Sequence, residues 1–292
     1  MATPPIIEKA LVIPPGMGLR ALPKHRWQTS DLDELMDVLL LWQLPRKGQR
    51  YVMPADISGG VGLDRSVADV IRVGTLTEPD EQVAQFVTSK VDPIDFAGYL
   101  DVIGRFYQDE DGSSALAAVE TNNHGIATQG ELQRHYGYDN FFIWQYEDTR
   151  DPRRRYSTKI GWSTTARTRP IILARLLKAI KTVDPRTGFP DYRINSLHTM
   201  AELRDFQTQG HLWEAEAAEG AHDDCVITSA IGVHVSQTLH FEDREPLEEQ
   251  RRRHAEEKRR QEEAAAHLKS KRDYQNSDIA WDEIHMGEGD VF

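Results

Sequence analysis

The chain has 292 residues, of which 39% are hydrophobic and 28% charged, with a formal net charge of -12. This is enough material for one large domain or two small ones, and the negative balance argues against a protein that coats nucleic acid through bulk charge while leaving room for a local basic groove. Cys225 is the only cysteine, which excludes an intrachain disulfide and fits a reducing, intracellular setting.

No basic region followed by an apolar core opens the chain, so no signal peptide is expected. The run Leu39-Leu40-Leu41-Trp42 is far too short to span a membrane. Residues 1–30 carry Pro4, Pro5, Pro14, Pro15 and Pro23 without a clear period and read as an extended lead-in. The pattern then predicts a helix from Ser30 to Leu41. Ser30 suits an N-cap, and Asp31, Asp33 and Glu34 put negative charge in the first turn. Leu32, Leu35, Met36, Leu39 and Leu40 supply the helical stripe, and Pro45 stops it.

Next comes Tyr51–Asp56, a short apolar run closed by a carboxylate and followed by Gly59, Gly60 and Gly62. Glycines there let the backbone turn, so a hairpin into Ser66–Val73 is the natural reading. A third strand-like run, Gln82–Thr88, completes an expected antiparallel meander. Asp92-Pro93 opens a helix from Ile94 to Tyr107, with Phe96, Leu100, Ile103 and Phe106 on one side. A buried strand, Ala115–Val119, ends in Glu120, and Thr121-Asn122-Asn123-His124-Gly125 leads to a helix near Ile126–Tyr136. Phe141–Gln145 is a fourth apolar strand.

A basic insert runs from Arg150 to Arg169, then a helix from Arg169 to Thr182, a strand at Tyr192–Ile194 and a helix at Ser196–Phe206. A polar hairpin is expected at Gln207–Ala217, and a last apolar helix starts at His222-Asp223-Asp224 and continues to His234. Residues 241–272 are dominated by Glu, Arg, Lys and Ala, a composition suited to a solvated helix with charge pairs but not to a core. Asp273–Phe292 has six acidic residues and no Lys or Arg, and reads as a mobile acidic tail. The expected organisation is a lead-in over 1–47 with one short helix, an α/β domain over 48–240 and a charged tail over 241–292.

Three acidic points stand out: Asp56 at one strand end, Glu120 at another, and Asp223 with Asp224 at a helix start. Alone, Asp56 reads as well as a turn residue, and Asp223 reads better as a helix cap. Together they favour another chemistry. Strand ends of an α/β sheet gather at one edge, where ligands bind. Converging carboxylates repel one another, and a divalent cation such as Mg²⁺ or Mn²⁺ resolves that with oxygen ligands. Two such ions about 4 Å apart activate water and stabilise the leaving oxygen of a phosphodiester.

The order Asp-x-Ser-Gly-Gly…Asp (56–64), Ala-Val-Glu-Thr-Asn-Asn-His-Gly (118–125), Lys-Ile-Gly-Trp-Ser-Thr-Thr (159–165) and Gly-Ala-His-Asp-Asp-Cys-Val (220–226) resembles the nuclease domain of the large terminase subunit of tailed bacteriophages, over roughly residues 48–240. The resemblance implies a ribonuclease H-like mixed sheet flanked by helices. It also implies a two-metal endonuclease that cuts concatemeric double-stranded DNA, acting in the host cell cytoplasm during capsid packaging. Carried over by position, Asp56, Glu120 and Asp224 match the catalytic acids, Asp223 joins them as a metal ligand, and Asp64 matches an accessory acid on the hairpin. The stretch Lys159–Thr165 matches part of a β-hairpin over the active site. The family's ATPase motor is not visible: no Gly-x-x-x-x-Gly-Lys-Ser/Thr loop occurs, so no ATP site is expected in this chain and the motor is expected on a further segment or another chain. Implied partners are that motor, a portal and a small terminase subunit, with no membrane.

For DNA contact, Arg150, Arg153, Arg154, Arg155, Lys159, Arg167 and Arg169 are the candidates. They lie in a stretch where Asp151 is the only acid before Asp184. Such residues bind phosphates without reading sequence, although a charge run is commonly just a solvated surface. Two rival readings remain: a junction resolvase or transposase-like nuclease of the same fold, and a non-catalytic DNA-binding packaging adaptor.

Overall fold

In the computed structural model, the described residues are 32–60, 64–75, 77–108, 112–147, 156–185, 187–208 and 222–242. The chain divides into two compact units, residues 1–238 and 239–292, and of the second only the end of the last helix is described.

Three strands form the expected meander: β2 (Tyr51–Asp56), β3 (Ser66–Arg72) and β4 (Asp80–Thr88), antiparallel in sequence order. Ahead of them, β1 (Val38–Leu41) pairs antiparallel with β4. On the far side of the meander, β5 (Leu116–Val119) runs parallel to β2. The sheet order is therefore β1-β4-β3-β2-β5, with the short β8 (Tyr192–Arg193) parallel to the start of β4. Beyond β5, Phe141 bridges Ala117 in parallel. A meander whose first strand is parallel to a strand reached through a helical crossover is the ribonuclease H-like arrangement.

The crossover is α1 (Pro93–Phe106). Its start is written locally: the Asp92 carboxylate accepts the N–H groups of Ile94 (2.8 Å) and Asp95 (3.1 Å), and Pro93 occupies the first turn. Its Phe96, Leu100 and Ile103 bury against Tyr51, Met53, Ala55, Ala68, Val70 and Phe86 of the sheet. Phe86 stacks on Tyr99 with ring centroids 4.7 Å apart. Helix α2 (Asn123–Arg134) follows β5 and adds Leu132 to this cluster.

Side chains alternate along a strand. With Met53, Ala55, Ala68 and Val70 committed to α1, the alternate residues Val52, Pro54, Asp56, Val67, Asp69 and Ile71 face the opposite side. That side is covered by α5 (Asp224–Glu242), where Gly232 lies so close that an added Cβ would meet Ile71 and Pro54. The same alternation turns Glu120, one residue past Val119, toward the α5 side.

Two further helices complete the described residues, α3 (Arg169–Lys181) and α4 (Leu197–Thr208), with a two-stranded hairpin of β6 (Ile143–Glu147) and β7 (Tyr156–Ile160). No helix among the described residues is long and apolar enough to cross a membrane.

The lead-in departs from expectation. Instead of a helix from Ser30 to Leu41, a 3-10 turn at Asp33–Leu35 is followed by strand β1. The reason is tertiary. Val38-Leu39-Leu40-Leu41 is buried at all four positions, Leu39 and Leu41 in the α1-side cluster and Leu40 with Leu35 and Trp42. An apolar run of this length fits strand or helix equally, and the open edge of β4 selects the strand. Asp37 makes the entry at φ 59, its carboxylate held by Thr88 Oγ1 (2.6 Å) and Lys90 Nζ (2.7 Å). The expected strand at Phe141–Gln145 is displaced too: after its single bridge the chain peels away into β6. The expected hairpin at Gln207–Ala217 begins inside α4 and otherwise lies outside the described residues, as do residues 1–31 and the tail after Glu242.

Candidate active site

Asp56 ends β2 and Glu120 follows β5, and the Glu120 N–H donates to the Ala55 carbonyl (2.8 Å), so the two acids are neighbours across a parallel pair. Two glycines permit this closeness. Gly125 lets α2 start directly over the Glu120 carbonyl, which an added Cβ would approach to 1.8 Å. Gly161 has φ +81 and lets Trp162 lie beside β5: Trp162 N–H donates to Val119 O (2.9 Å) and Thr121 N–H to Trp162 O (2.6 Å). Glu120 is thus clamped from both sides. Trp162 is a packing anchor, buried between Trp144 and His234 with centroids 5.0 and 4.4 Å away.

Asn122 ties the acids together. Its Nδ2 donates to Glu120 Oε2 (3.1 Å), Asp56 Oδ1 (3.3 Å) and Ile57 O (3.1 Å), while its Oδ1 accepts the Gly125 N–H (2.7 Å) and caps α2. The helix cap is legible in the sequence as an Asn before a helix, but its second task is not.

The first residues of α5 enter from the other side. Asp224 Oδ2 lies 3.4 Å from the Arg65 N–H and 3.6 Å from His222 Nδ1. Asp223 forms a close ion pair with the Arg169 guanidinium. Burial pushes the Asp224 carboxyl up to about 7, with the charge of Asp223 adding to it. The Asp56 carboxyl is raised well above the usual carboxylate range, first by burial, then by Glu120, Asp224 and Asp223. His222 is held below its ordinary value by burial and by Arg65, so at neutral pH it does not offset the acids. Asp64 is exposed on the turn before β3, and its charge reaches Asp224. The fold therefore brings Asp56, Glu120, Asp223 and Asp224 into one electrostatic neighbourhood, with Asp64 at its edge.

As these side chains stand, no three His, Cys, Asp or Glu groups among the described residues close on a single point as a formed metal centre. The donor chemistry nonetheless fits a hard divalent ion. The donors are carboxylate oxygens gathered at one edge, and Asp56 and Asp224 are raised by burial and by the charges of their acidic neighbours, which is the condition a divalent cation relieves.

Of the basic candidates, Lys159 is exposed on β7 and Arg167 is exposed on the turn before α3. Arg169 is not on open surface: it opens α3 and is committed to Asp223. Arg150, Arg153, Arg154 and Arg155 lie between β6 and β7 in the sequence, outside the described residues. His124 is exposed near Gly59, and Cys225 is fully buried as a packing residue. Sequence reasoning assigned no role to Asn122, Arg65 or Glu202. The last two come from other elements and carry no local signal.

No protein-family model matches the sequence, and no curated protein matches it. Solved structures do. The structure is similar to the large terminase nuclease from thermophilic phage G20c with bound magnesium, at 17% identity over 67% of this chain and 86% of that one, with a TM-score of 0.46. It is similar to the large terminase nuclease domain of Thermus phage P74-26, at 16% identity over 73% and 89%, with a TM-score of 0.42. It is also similar to the nuclease domain of the large terminase g2p of bacteriophage SPP1 with bound Mn, at 9% identity over 64% and 87%, with a TM-score of 0.35.

Proposed function

We propose that this chain is the metal-dependent DNA endonuclease of a phage packaging terminase, hydrolysing phosphodiester bonds of double-stranded DNA with Mg²⁺ or Mn²⁺. The observation that carries the reading is the convergence of Asp56, Glu120 and the Asp223–Asp224 pair from three separate elements onto one sheet edge, where each raises the Asp56 carboxyl. The donors these acids receive, from Asn122, Arg65 and Arg169, do not cancel their mutual repulsion at Asp56, which stays raised.

In this reading Asp56, Glu120 and Asp224, with Asp223 beside it, would hold the divalent ions, and Asp64 would serve from the hairpin turn. Divalent ions bound there supply activation of water and stabilisation of the leaving oxygen, giving a 5′-phosphate and a 3′-hydroxyl. Asn122 keeps the Asp56 and Glu120 oxygens oriented. Lys159 and Arg167, with Arg150, Arg153, Arg154 and Arg155 of the β6–β7 connection, hold DNA phosphates without reading bases. A motor chain or segment, a portal and a small terminase subunit are the partners this role calls for, in the host cell cytoplasm.

A plasmid-nicking assay with Mg²⁺ or Mn²⁺ tests the proposal, comparing wild type, Asp56→Ala and an EDTA control. Cutting that needs metal and is lost in the variant is the expected result. One observation favours a second reading, a non-catalytic packaging adaptor: the acids do not stand as a closed metal centre. DNA retention without cutting in either metal supports that reading instead.

A further inference from the structure

Helix α5 delivers Asp223 and Asp224 to the site, and how its first turn is capped decides where they point. The Ile227 N–H donates to the Asp223 carbonyl (2.9 Å), which makes Asp223 the N-cap residue. An aspartate in that position ordinarily folds its carboxylate back onto the N–H groups of the second and third helical residues. Here those groups belong to Cys225 and Val226, and neither donates to Asp223. Both donate to Glu202 Oε2, at 2.9 and 3.1 Å.

Glu202 stands on α4 and is 5% exposed. Its other oxygen faces Arg65 Nη1 at 3.5 Å, and the backbone N–H of the same Arg65 reaches Asp224 Oδ2. The Asp223 carboxylate, released from capping, turns to Arg169. Thus a carboxylate from a separate helix satisfies the open donors of α5, and the local aspartate is left for the site.

We propose that Glu202 is a positioning residue for the metal-binding acids: by capping α5 from α4 it frees Asp223 and, through Arg65, steadies Asp224. This rests on the metal-dependent reading above. Without the Glu202 carboxylate, the Cys225 and Val226 N–H groups are buried donors without an acceptor, and the Asp223 carboxylate is the group within reach to serve them. The aspartate then becomes an ordinary helix cap and leaves the site.

The test is Mn²⁺ binding to the full chain, followed by electron paramagnetic resonance of the free ion, with folding checked by circular dichroism. Glu202→Ala is expected to weaken Mn²⁺ binding by about tenfold or more, the usual scale for losing a group that orients a metal ligand. Glu202→Gln, whose carboxamide oxygen still accepts both N–H groups but turns its NH2 toward Arg65, is expected to lose clearly less than the alanine variant. Ser236→Ala is the control: it removes a buried hydrogen bond to Asp80 (2.6 Å) further along α5, and is expected to lower stability without weakening Mn²⁺ binding.

Wild-type affinity in Glu202→Ala overturns the proposal. So does an equal loss in a folded Glu202→Gln, which decides the matter even if the alanine variant does not fold. An equal loss in Ser236→Ala also overturns it, by showing a general effect of helix destabilisation. Absence of Mn²⁺ binding by the wild type overturns the metal-dependent reading and this one with it.

Discussion

The sheet buries acids in two places, and they are treated in opposite ways. Under the middle of α5, Asp69 accepts Gln85 Nε2 (2.8 Å) and Ser229 Oγ (2.7 Å), and Asp80 accepts the Gly74 N–H and Ser236 Oγ (both 2.6 Å). Glu81 meets Arg72 Nη2 (3.1 Å), Asn195 Nδ2 (3.2 Å) and Arg193 Nη1 (3.4 Å). At the sheet edge, Asp56 and Glu120 share Asn122, and the charges of Asp224 and Asp223 also bear on Asp56.

The pKa directions rank these surroundings. Burial alone would raise Glu81, but its hydrogen bonds to Asn195 and Arg72, aided by Arg193, outweigh burial and lower it. Asp69, given only neutral donors, is still pushed up to about 6 by burial. Asp56, surrounded by further carboxylates, is raised well above the normal range. A neutral donor together with cations inverts the effect of burial at Glu81, neutral donors alone moderate it at Asp69, and like charges add to it at Asp56. The first two environments are complete within the protein. The third is the one that, in the proposed reading, an external cation would complete, and that difference would separate structural acids from site acids.

That contrast can be broken from either end. The largest stability effect is expected at the most complete pair: Arg72→Met, at a residue 2% exposed, leaves Glu81 buried beside a lost cation and should cost about 3–5 kcal/mol in urea unfolding. A loss within the range of surface substitutions would mean that Arg193 and Asn195 suffice. Next is the pH dependence from Asp69. Below its unfolded value of about 3.8 both states carry the proton, and no penalty exists. As pH rises toward about 6 the unfolded state ionises first, so wild-type stability falls, by about 3 kcal/mol from this residue. In Asp69→Asn the amide oxygen still accepts from Gln85 and the Ser229 hydroxyl can turn to accept. The difference between the two stability curves should therefore open between pH 4 and 6 in favour of the variant. A flat difference would show that Gln85 and Ser229 fully offset burial.

The smallest expected effect is decided by its sign. Asp56→Asn removes a charge from a repelling set and should raise, not lower, the urea midpoint of the metal-free protein. Adding Mn²⁺ reverses the order. An ion at a hundred times its dissociation constant stabilises the wild type by about 2.7 kcal/mol, while the variant should not respond. A lowered midpoint in metal-free Asp56→Asn would place Asp56 among the structural acids.

Much of this was legible locally. The apolar runs that became β2, β3 and β4 lie between turn residues, and Asp92-Pro93 announces α1, whereas α2 begins earlier than expected, at Asn123, because Asn122 caps it. Asp56 and Glu120 each close a strand, so the expectation that they meet followed once two parallel strand ends shared an edge. The stretch Val38–Leu41 was misread because its spacing suits both periods, and only the unpaired edge of β4 distinguishes them.

The sequence by itself determined the strands of the meander, the crossover helix and which acids end strands, because turn chemistry, capping and period are properties of neighbouring residues. Tertiary structure alone decided that β1 is a strand, that Arg169 is spent on Asp223, and that Glu202 rather than Asp223 caps α5. Each is a competition between partners far apart in the chain. Proximity in the fold, unlike period or capping, leaves no mark on the residues around either partner.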